Sequence, residues 1–194
     1  MKFTINYLNQ FKDALDCIDL KQLEKIINEI VNIKKKNGRI FFLGVGGSAA
    51  NASHAVNDFR KLCGIECYTP SDNVSELTAR TNDEGWENTF APYLQTSNLK
   101  SKDLIFIFSV GGGNKKLNVS TNLIKAIDYA KKRNSKVISI VGKKSGYAQK
   151  KSDVSLIVSK DNQEFVTPFS ETFQTVIWHL IVSHPLLKIN KTKW

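Results

Sequence analysis

This sequence predicts an α/β fold built on a mainly parallel sheet, and three observations carry the prediction. Short apolar runs alternate along the chain with segments of helical periodicity. The runs that start at Ile40 and Leu104 are uninterrupted rather than alternating with polar residues, the pattern of strands covered on both faces. Two of them end in glycine-rich turns, at 44–48 and 109–114. In parallel sheets ligands bind at such carboxyl ends, near a switch in strand order.

The first helical segment spans 7–36. Leu8, Phe11, Leu15 and Ile18, then Leu23, Ile26, Ile27, Ile30 and Ile33, recur at spacings of three and four and form one apolar stripe. Asp19 offers a cap for a second helix after a short break, and Asn37-Gly38 stops it. Residues 39–45 read as the first strand, 48–62 as a helix and 65–68 as a short strand. Helical segments at 73–80 and 86–99 flank a connection made by Asn82, Asp83, Glu84 and Gly85. A second fully apolar strand spans 104–109, and a helix runs from just after Asn114 to about Arg133. Strands at 137–141 and 154–158 follow, separated by a loop with room for a short helix. A last helix, 169–184, is stopped by Pro185. There is no internal repeat and no linker. The whole of 1–194 therefore reads as one domain, with a helical region at 1–36 and an α/β core at 37–194.

Composition bounds the function classes. A globule of 194 residues buries roughly 70% of its unfolded surface and needs no disulfide or metal to fold. With 41% hydrophobic and 24% charged residues, 4 Pro and 11 Gly, the chain is neither collagen-like nor disordered. No apolar run approaches the roughly 20 residues that span a bilayer. Residues 1–10 lack the apolar core of a signal peptide. A cytoplasmic protein is expected. Cys17, Cys63 and Cys67 are odd in number and lack a CxxC spacing, so they read as reduced thiols. The net charge of +10 is compatible with nucleic acid or an anionic ligand. The excess is mostly lysine on helix faces, as at Lys34, Lys35, Lys36, Lys131 and Lys132, and no nucleic-acid-binding motif is present. It reads as a solvated surface rather than a nucleic-acid interface.

The two glycine turns carry the first functional signal. In Gly44-Val45-Gly46-Gly47-Ser48, small residues let backbone amides approach an anion, and the following helix N-terminus adds positive potential. Ser48 can cap that helix, bind an anion, or do both. Gly44, Gly46 and Ala49 also match GxGxxA, a dinucleotide pattern. Its acidic partner would be Glu66, which lies inside a short strand rather than at its end, and this weighs against a nicotinamide or flavin cofactor. Ser109-Val110-Gly111-Gly112-Gly113-Asn114 repeats the logic after another strand. Two such turns facing one crevice suit a single phosphate better than a dinucleotide.

His54 and Asp58 are four apart on the helix after the first turn and share one face. Such a pair can ligate a metal, exchange protons or merely decorate a surface, and its position beside the phosphate turn favours the first two. Glu171 and His179 lie on the last helix. Their separation is about 80° around a regular helix and about 12 Å along it. They meet one ion only if Glu171 lies in an irregular turn or the side chains reach toward each other. His184, before Pro185, reads as structural, and no GxSxG elbow exists.

Residues 44–54, GVGGSAANASH, resemble the GNGGSAADAQH signature of the phosphoheptose isomerases, which are sugar isomerase (SIS) domain proteins. Residues 77–85, LTARTNDEG, are similar to their LTAxxND(x)G stretch, and Ser109-Val110-Gly111 stands where they have Ser-Thr-Ser. With the last helix and the leading helices, the resemblance covers nearly the whole chain. It implies a three-layer sandwich with a five-stranded parallel sheet in flavodoxin-like order, assembled as a homotetramer with the active site between subunits. It implies one zinc per subunit, held by His54, Asp58, Glu171 and His179, with Asp58 as base and His179 as acid. It assigns substrate contacts to Val45, Gly46, Gly47, Ser48, Asn82, Asp83, Ser109, Val110, Gly111, Ser120 and Glu171. Asn114 is expected to make up for the hydroxyls missing at Val110 and Gly111.

Three departures stand out: Asp58 replaces Glu, Glu171 replaces Gln, and Val110-Gly111 replaces Thr-Ser. The implied activity is interconversion of sedoheptulose 7-phosphate and glycero-manno-heptose 7-phosphate through an enediol, a step of heptose biosynthesis. Alternatives are an isomerase of another sugar phosphate and a non-catalytic SIS-domain protein that contacts a replication initiator.

Overall fold

The computed structural model describes residues 1–159 and 164–192. Two helices lead, α1 (Lys2–Leu15) and α2 (Leu20–Lys35). Between them the Asp19 carboxylate accepts the amides of Lys21 and Gln22 at 2.9 and 3.1 Å, a cap worth about 1 kcal/mol. α1 starts five residues before the apolar stripe because aromatic packing carries it back. Phe3 meets Tyr7 and Phe165, and Tyr7 meets Phe169, at centroid distances of 6.3, 5.9 and 5.0 Å. The core follows as β1 (Ile40–Leu43), α3 (Gly47–Cys63), β2 (Cys67–Tyr68), α4 (Val74–Glu84), α5 (Phe90–Thr96), β3 (Leu104–Ser109), α6 (Thr121–Lys132), β4 (Lys136–Val141), α7 (Tyr147–Lys151), β5 (Val154–Ile157) and α8 (Val166–Ser183).

Three boundaries differ from the sequence expectation. Asn82, Asp83 and Glu84 belong to α4 rather than to a connection. Arg80 bonds Glu76 at 2.9 Å and Glu84 at 3.4 Å, two i,i+4 pairs that carry the helix on until Gly85 ends it at φ +85°. Segment 86–99 breaks into a single 3-10 turn (Trp86–Asn88) followed by the short α5. α6 is delayed to Thr121 because residues 114–120 form a turn. Asn114 and Val119 make an antiparallel bridge there, and Asn118 and Ser120 adopt φ +53° and +50°.

The five strands are all parallel, in the order β2-β1-β3-β4-β5. The chain leaves β1 toward β2 and then crosses back to β3 on the other side. The crevice between the carboxyl ends of β1 and β3 is therefore the switch point, and both glycine turns open there. Alternate residues of each strand enter separate cores. Ile40, Phe42, Phe106, Phe108, Ile138 and Ile140 pack with α1, α2, α3 and α8. Phe41, Leu43, Ile105, Ile107, Val137 and Val141 pack with α5, α6 and α7. These two cores make three layers and explain the unbroken apolar runs. Cys17 is exposed, Cys63 and Cys67 are buried, and all three are free thiols. Burial pushes the Cys63 thiol up to about 11. No helix among the described residues is long and apolar enough to cross a membrane.

The amino end of the sheet is latched by one ion pair. Asp103, which is fully buried, accepts Arg39 Nη2 at 2.7 Å, the Arg39 amide at 2.9 Å and the Lys100 amide at 2.9 Å. The same guanidinium donates to the carbonyls of Ser97 and Asn98, both at 3.0 Å. Burial pushes the Asp103 carboxyl up, but the hydrogen bonds from Arg39 and from the two amides outweigh it and hold the group below its ordinary 3.8. Asp103→Ala takes the counter-charge from the guanidinium and leaves two amides unpaired. We expect a loss of about 3–5 kcal/mol in urea unfolding at pH 7. Because the folded carboxyl lies below the unfolded one, its contribution is complete above the unfolded value of about 3.9 and is lost as pH falls through the folded one. The gap between wild type and variant should therefore close in acid. A gap that is independent of pH would refute the latch.

Candidate active site

Helices α3 and α8 lie side by side and run in the same direction, so their residues meet in matching order. Glu171 faces Gly47, Asn51 binds Glu171 and Gln174, His54 meets Trp178 and His179, and Cys63 reaches Val182. Asn51 sets the register. Its Nδ2 donates to the Glu171 carbonyl at 2.9 Å and to Gln174 Oε1 at 3.0 Å, and its Oδ1 accepts Thr175 Oγ1 at 2.8 Å. Nothing in the sequence periodicity singled out Asn51. Its only signal was a polar residue on the helix that leaves the first glycine turn.

The first turn is built for close approach to backbone. Gly46 adopts φ +63°, ψ −129°, a conformation that disfavours any residue with a Cβ. Open space lies around it: a Cβ there would meet nothing within 4 Å, and the same holds at Gly111 in the second turn. Val45 is half-buried, and Gly46 and Gly47 are exposed. Ser48, the second residue of α3, is buried. The first amides of this 17-residue helix have no intrahelical acceptor and face the crevice with the positive end of its dipole.

The second turn spends its polar side chains on itself. Ser109 Oγ accepts the Gly112 amide at 2.9 Å, and the Val110 carbonyl accepts the Gly142 amide at 3.0 Å. Asn114 Oδ1 accepts the amides of Lys116 and Leu117 at 2.9 and 3.1 Å, so that oxygen closes the turn. Ser120 stands at the start of α6.

About two to three turns along α3 lies a set of metal-ligand side chains. One potential ligand atom each from His54, Asp58 and His179 falls within 4.8 Å of the other two. Asp58 is buried, His179 is half-buried and His54 is exposed. Asp58 Oδ2 is 3.9 Å from His179 Nε2, while its Oδ1 accepts Asn57 Nδ2 at 2.8 Å. His179 Nδ1 lies 2.8 Å from the Thr175 carbonyl. That carbonyl can only accept, so Nδ1 carries a proton, and Nε2 is the ring nitrogen that faces Asp58. Two imidazoles and a carboxylate suit a divalent cation such as zinc.

The expected site residues do not all converge within one chain. Glu171 stands two turns before His179 on a regular α8, and its carboxylate lies over Gly47. A Cβ at Gly47 would sit 2.5 Å from that carboxylate, so a larger residue there would push the Glu171 side chain aside. The group formed inside one chain is therefore His54, Asp58 and His179. Asn82 and Asp83 are exposed on the last turn of α4 and bond each other at 2.7 Å. Glu66 lines a groove with Gly38 and Gly64 at the amino ends of β1 and β2, the end of the sheet opposite the glycine turns. That placement rules out a ribose-binding role for Glu66 and with it the dinucleotide reading. His184 Nδ1 accepts the Leu186 amide at 3.3 Å just past the end of α8, a structural role.

Comparison with known proteins agrees with this layout. The SIS domain family matches residues 6–142. The phosphoheptose isomerase of Helicobacter pylori (strain ATCC 700392 / 26695) is 28% identical over 82% of this chain and 80% of its own. That of Leptospira biflexa serovar Patoc is 31% identical over 82% of this chain and 77% of its own. The structure of phosphoheptose isomerase GmhA from Neisseria gonorrhoeae superposes with a TM-score of 0.78 at 21% identity, covering 93% of both chains. The Vibrio vulnificus NanR protein complexed with ManNAc-6P shares the fold at a TM-score of 0.62 and 17% identity, over 90% of this chain and 57% of that one. The family match runs through both glycine turns and the helix that bears His54 and Asp58, and on that match the chain belongs to the SIS domain family.

Proposed function

We propose that this chain is a metal-assisted aldose–ketose isomerase of a sugar phosphate, with sedoheptulose 7-phosphate and glycero-manno-heptose 7-phosphate as the substrate pair. One juxtaposition carries the reading. Two glycine turns open at the switch point, and the helix that leaves the first one carries His54 and Asp58 against His179. The heptose specificity draws its support from the names of relatives about 28–31% identical.

The phosphate would bind backbone amides of the two turns on the open side of Gly46 and Gly111, with Ser48, Ser109 and Ser120 nearby. Val45, Gly46, Gly47, Val110 and Gly111 would offer backbone rather than side chains, and Asn82 and Asp83 are proposed as further sugar contacts. Asp58 would take the proton from the carbon next to the carbonyl while His179 Nε2 gives one to the carbonyl oxygen, leaving an enediol. The other enediol hydroxyl then returns its proton to His179, and Asp58 delivers the carbon-bound proton at the neighbouring carbon. The donor set of His54, Asp58 and His179 fits zinc, which when bound would polarise the sugar carbonyl as a Lewis acid. An atom that ligates cannot carry a proton at the same moment. Asp58 has two oxygens for the two duties, and His179 Nε2 must alternate between them. Glu171 over Gly47 is proposed as a substrate contact rather than a fourth ligand within one chain.

We also propose that the chain works as a homotetramer. α1 exposes Phe3, Ile5, Leu8 and Leu15, and α8 exposes Val176 and Leu180. An apolar surface spread over two helices in this way suits packing against further copies. Light scattering at micromolar concentration should give four chains. A monomer would count against this assembly.

Three measurements test the chemistry. Incubated with zinc and a panel of five- to seven-carbon sugar phosphates, the protein should interconvert aldose and ketose, the heptose 7-phosphate pair fastest. Asp58→Asn keeps the shape and should lower turnover by about 10²-fold or more, with substrate affinity changed far less and metal content checked. Ser48→Ala should weaken sugar-phosphate binding by about tenfold or more, the loss of one charge-assisted hydrogen bond. Binding of sugar phosphates without turnover of any would leave a non-catalytic binding protein as the surviving reading.

A further inference from the structure

The two imidazoles of the proposed metal group rest on one side chain. Trp178 is fully buried at 0% exposure. Its ring stacks on His179 at 3.5 Å and 28°, and meets His54 at 4.7 Å and 61°. The imidazoles stand 5.5 Å apart and at 88° to each other. Successive residues on a helix do not ordinarily face each other, so the stacking of Trp178 on its own neighbour is a specific feature rather than a by-product of the helix. No hydrogen bond holds His54 among the described residues. Its described contacts are the rings of Trp178 and His179.

The choice of tryptophan has a cost that packing does not explain. Its buried Nε1–H has no acceptor among the described residues, a destabilising arrangement. Phenylalanine would place an aromatic ring there without an orphaned donor, though with less volume. What the indole offers instead is the largest and most electron-rich face of any side chain. An imidazole that shares its lone pair with a cation becomes electron-poor and is drawn to such a face.

We propose that Trp178 is a positioning residue for the metal ligands: its indole holds His54 and His179 in the orientation in which, with Asp58, they close on a divalent cation. The Thr175 carbonyl fixes the tautomer of His179, and Trp178 fixes the planes of both rings. The inference rests on the metal half of the proposed function.

The test compares Zn²⁺ affinity, measured by competition with a chromophoric chelator, in metal-stripped wild type, Trp178→Leu, Trp178→Phe and Phe173→Leu, with thermal stability recorded for each. Trp178→Leu should lose about tenfold or more in Zn²⁺ affinity, the usual effect of removing a group that orients metal ligands. Trp178→Phe keeps an aromatic face and should recover most of that loss. Phe173 lies on the same helix, and its ring stacks on Phe11 at 4.7 Å. Phe173→Leu should lower stability and leave Zn²⁺ affinity unchanged. Should the leucine variant at 178 fail to fold, emission decides. Co²⁺, which quenches nearby indoles, should quench wild-type fluorescence at one equivalent, and the quenching should vanish in Trp178→Phe. Unchanged affinity in Trp178→Leu, equal losses in the Leu and Phe variants, or quenching that persists in Trp178→Phe would each overturn the proposal while leaving the metal reading intact. A wild type that binds no Zn²⁺ would overturn both.

Discussion

The parallel pairing of α3 with α8 is the constraint on which the site depends, and Asn51 is its key. A carboxamide that donates twice and accepts once across a helix interface fixes axial position as well as contact. A slip of one turn would move about 5.4 Å, more than the span of the His54–Asp58–His179 group. It would also carry Glu171 off the glycine that accommodates it. The apolar contacts between the helices, such as Phe59, Phe169 and Ile177 in the shared core, supply adhesion without specifying register. Part-buried hydrogen bonds across the interface are the more selective device, because a slipped register would leave them unmade.

The sheet divides the labour between its two ends. At the amino ends, Arg39 and Asp103 tie β1 to the segment that precedes β3, so these two central strands are fixed relative to each other. At the carboxyl ends the same two strands release glycine turns with open space at Gly46 and Gly111. Stiffness lies where no ligand comes, and exposed backbone lies at the switch point. α3 connects the two properties. It begins in the first turn, and it is held by the register with α8 one turn further on.

Most of the fold was legible in the sequence because strands buried on both faces leave unbroken apolar runs. The unbroken runs at Ile40 and Leu104 became the central strands β1 and β3, and the three more mixed segments joined them in one parallel sheet. The misread boundaries share a cause: they turn on side-chain or positive-φ details that hydrophobic period does not register. Arg80 extends α4 through two ion pairs, and Ser120 delays α6 at φ +50°. At the site, His54 and Asp58 were legible because both lie on one helix at a spacing of four. His179 joined them only through the family resemblance, since its partner lies on a different element. Asn51 and Trp178 were not legible. Their roles are defined by what faces them across an interface, and spacing within one helix says nothing about that. Glu171 was placed with the metal ligands by the resemblance; in this chain it stands two turns before His179 on α8, with its carboxylate over Gly47.

The placement of Glu171 also orders the crevice. Its carboxylate has no hydrogen bond or ion pair among the described residues and lies over Gly47, at the positive end of α3. A phosphate seated on Gly47 would meet a like charge at close range. The free approach is on the far side of the first turn, at Gly46, and across to Gly111 in the second. A phosphate held there would leave Glu171 facing the hydroxyls of the sugar, which a carboxylate can accept as hydrogen-bond donors. The ionised site would then carry two carboxylates, Asp58 near the imidazoles and Glu171 near the loop. A divalent cation between His54, Asp58 and His179 offsets the first of these, and the dipole of α3 partly offsets the second. On the proposed arrangement, Glu171 in place of a neutral amide would act on the sugar rather than on the metal group.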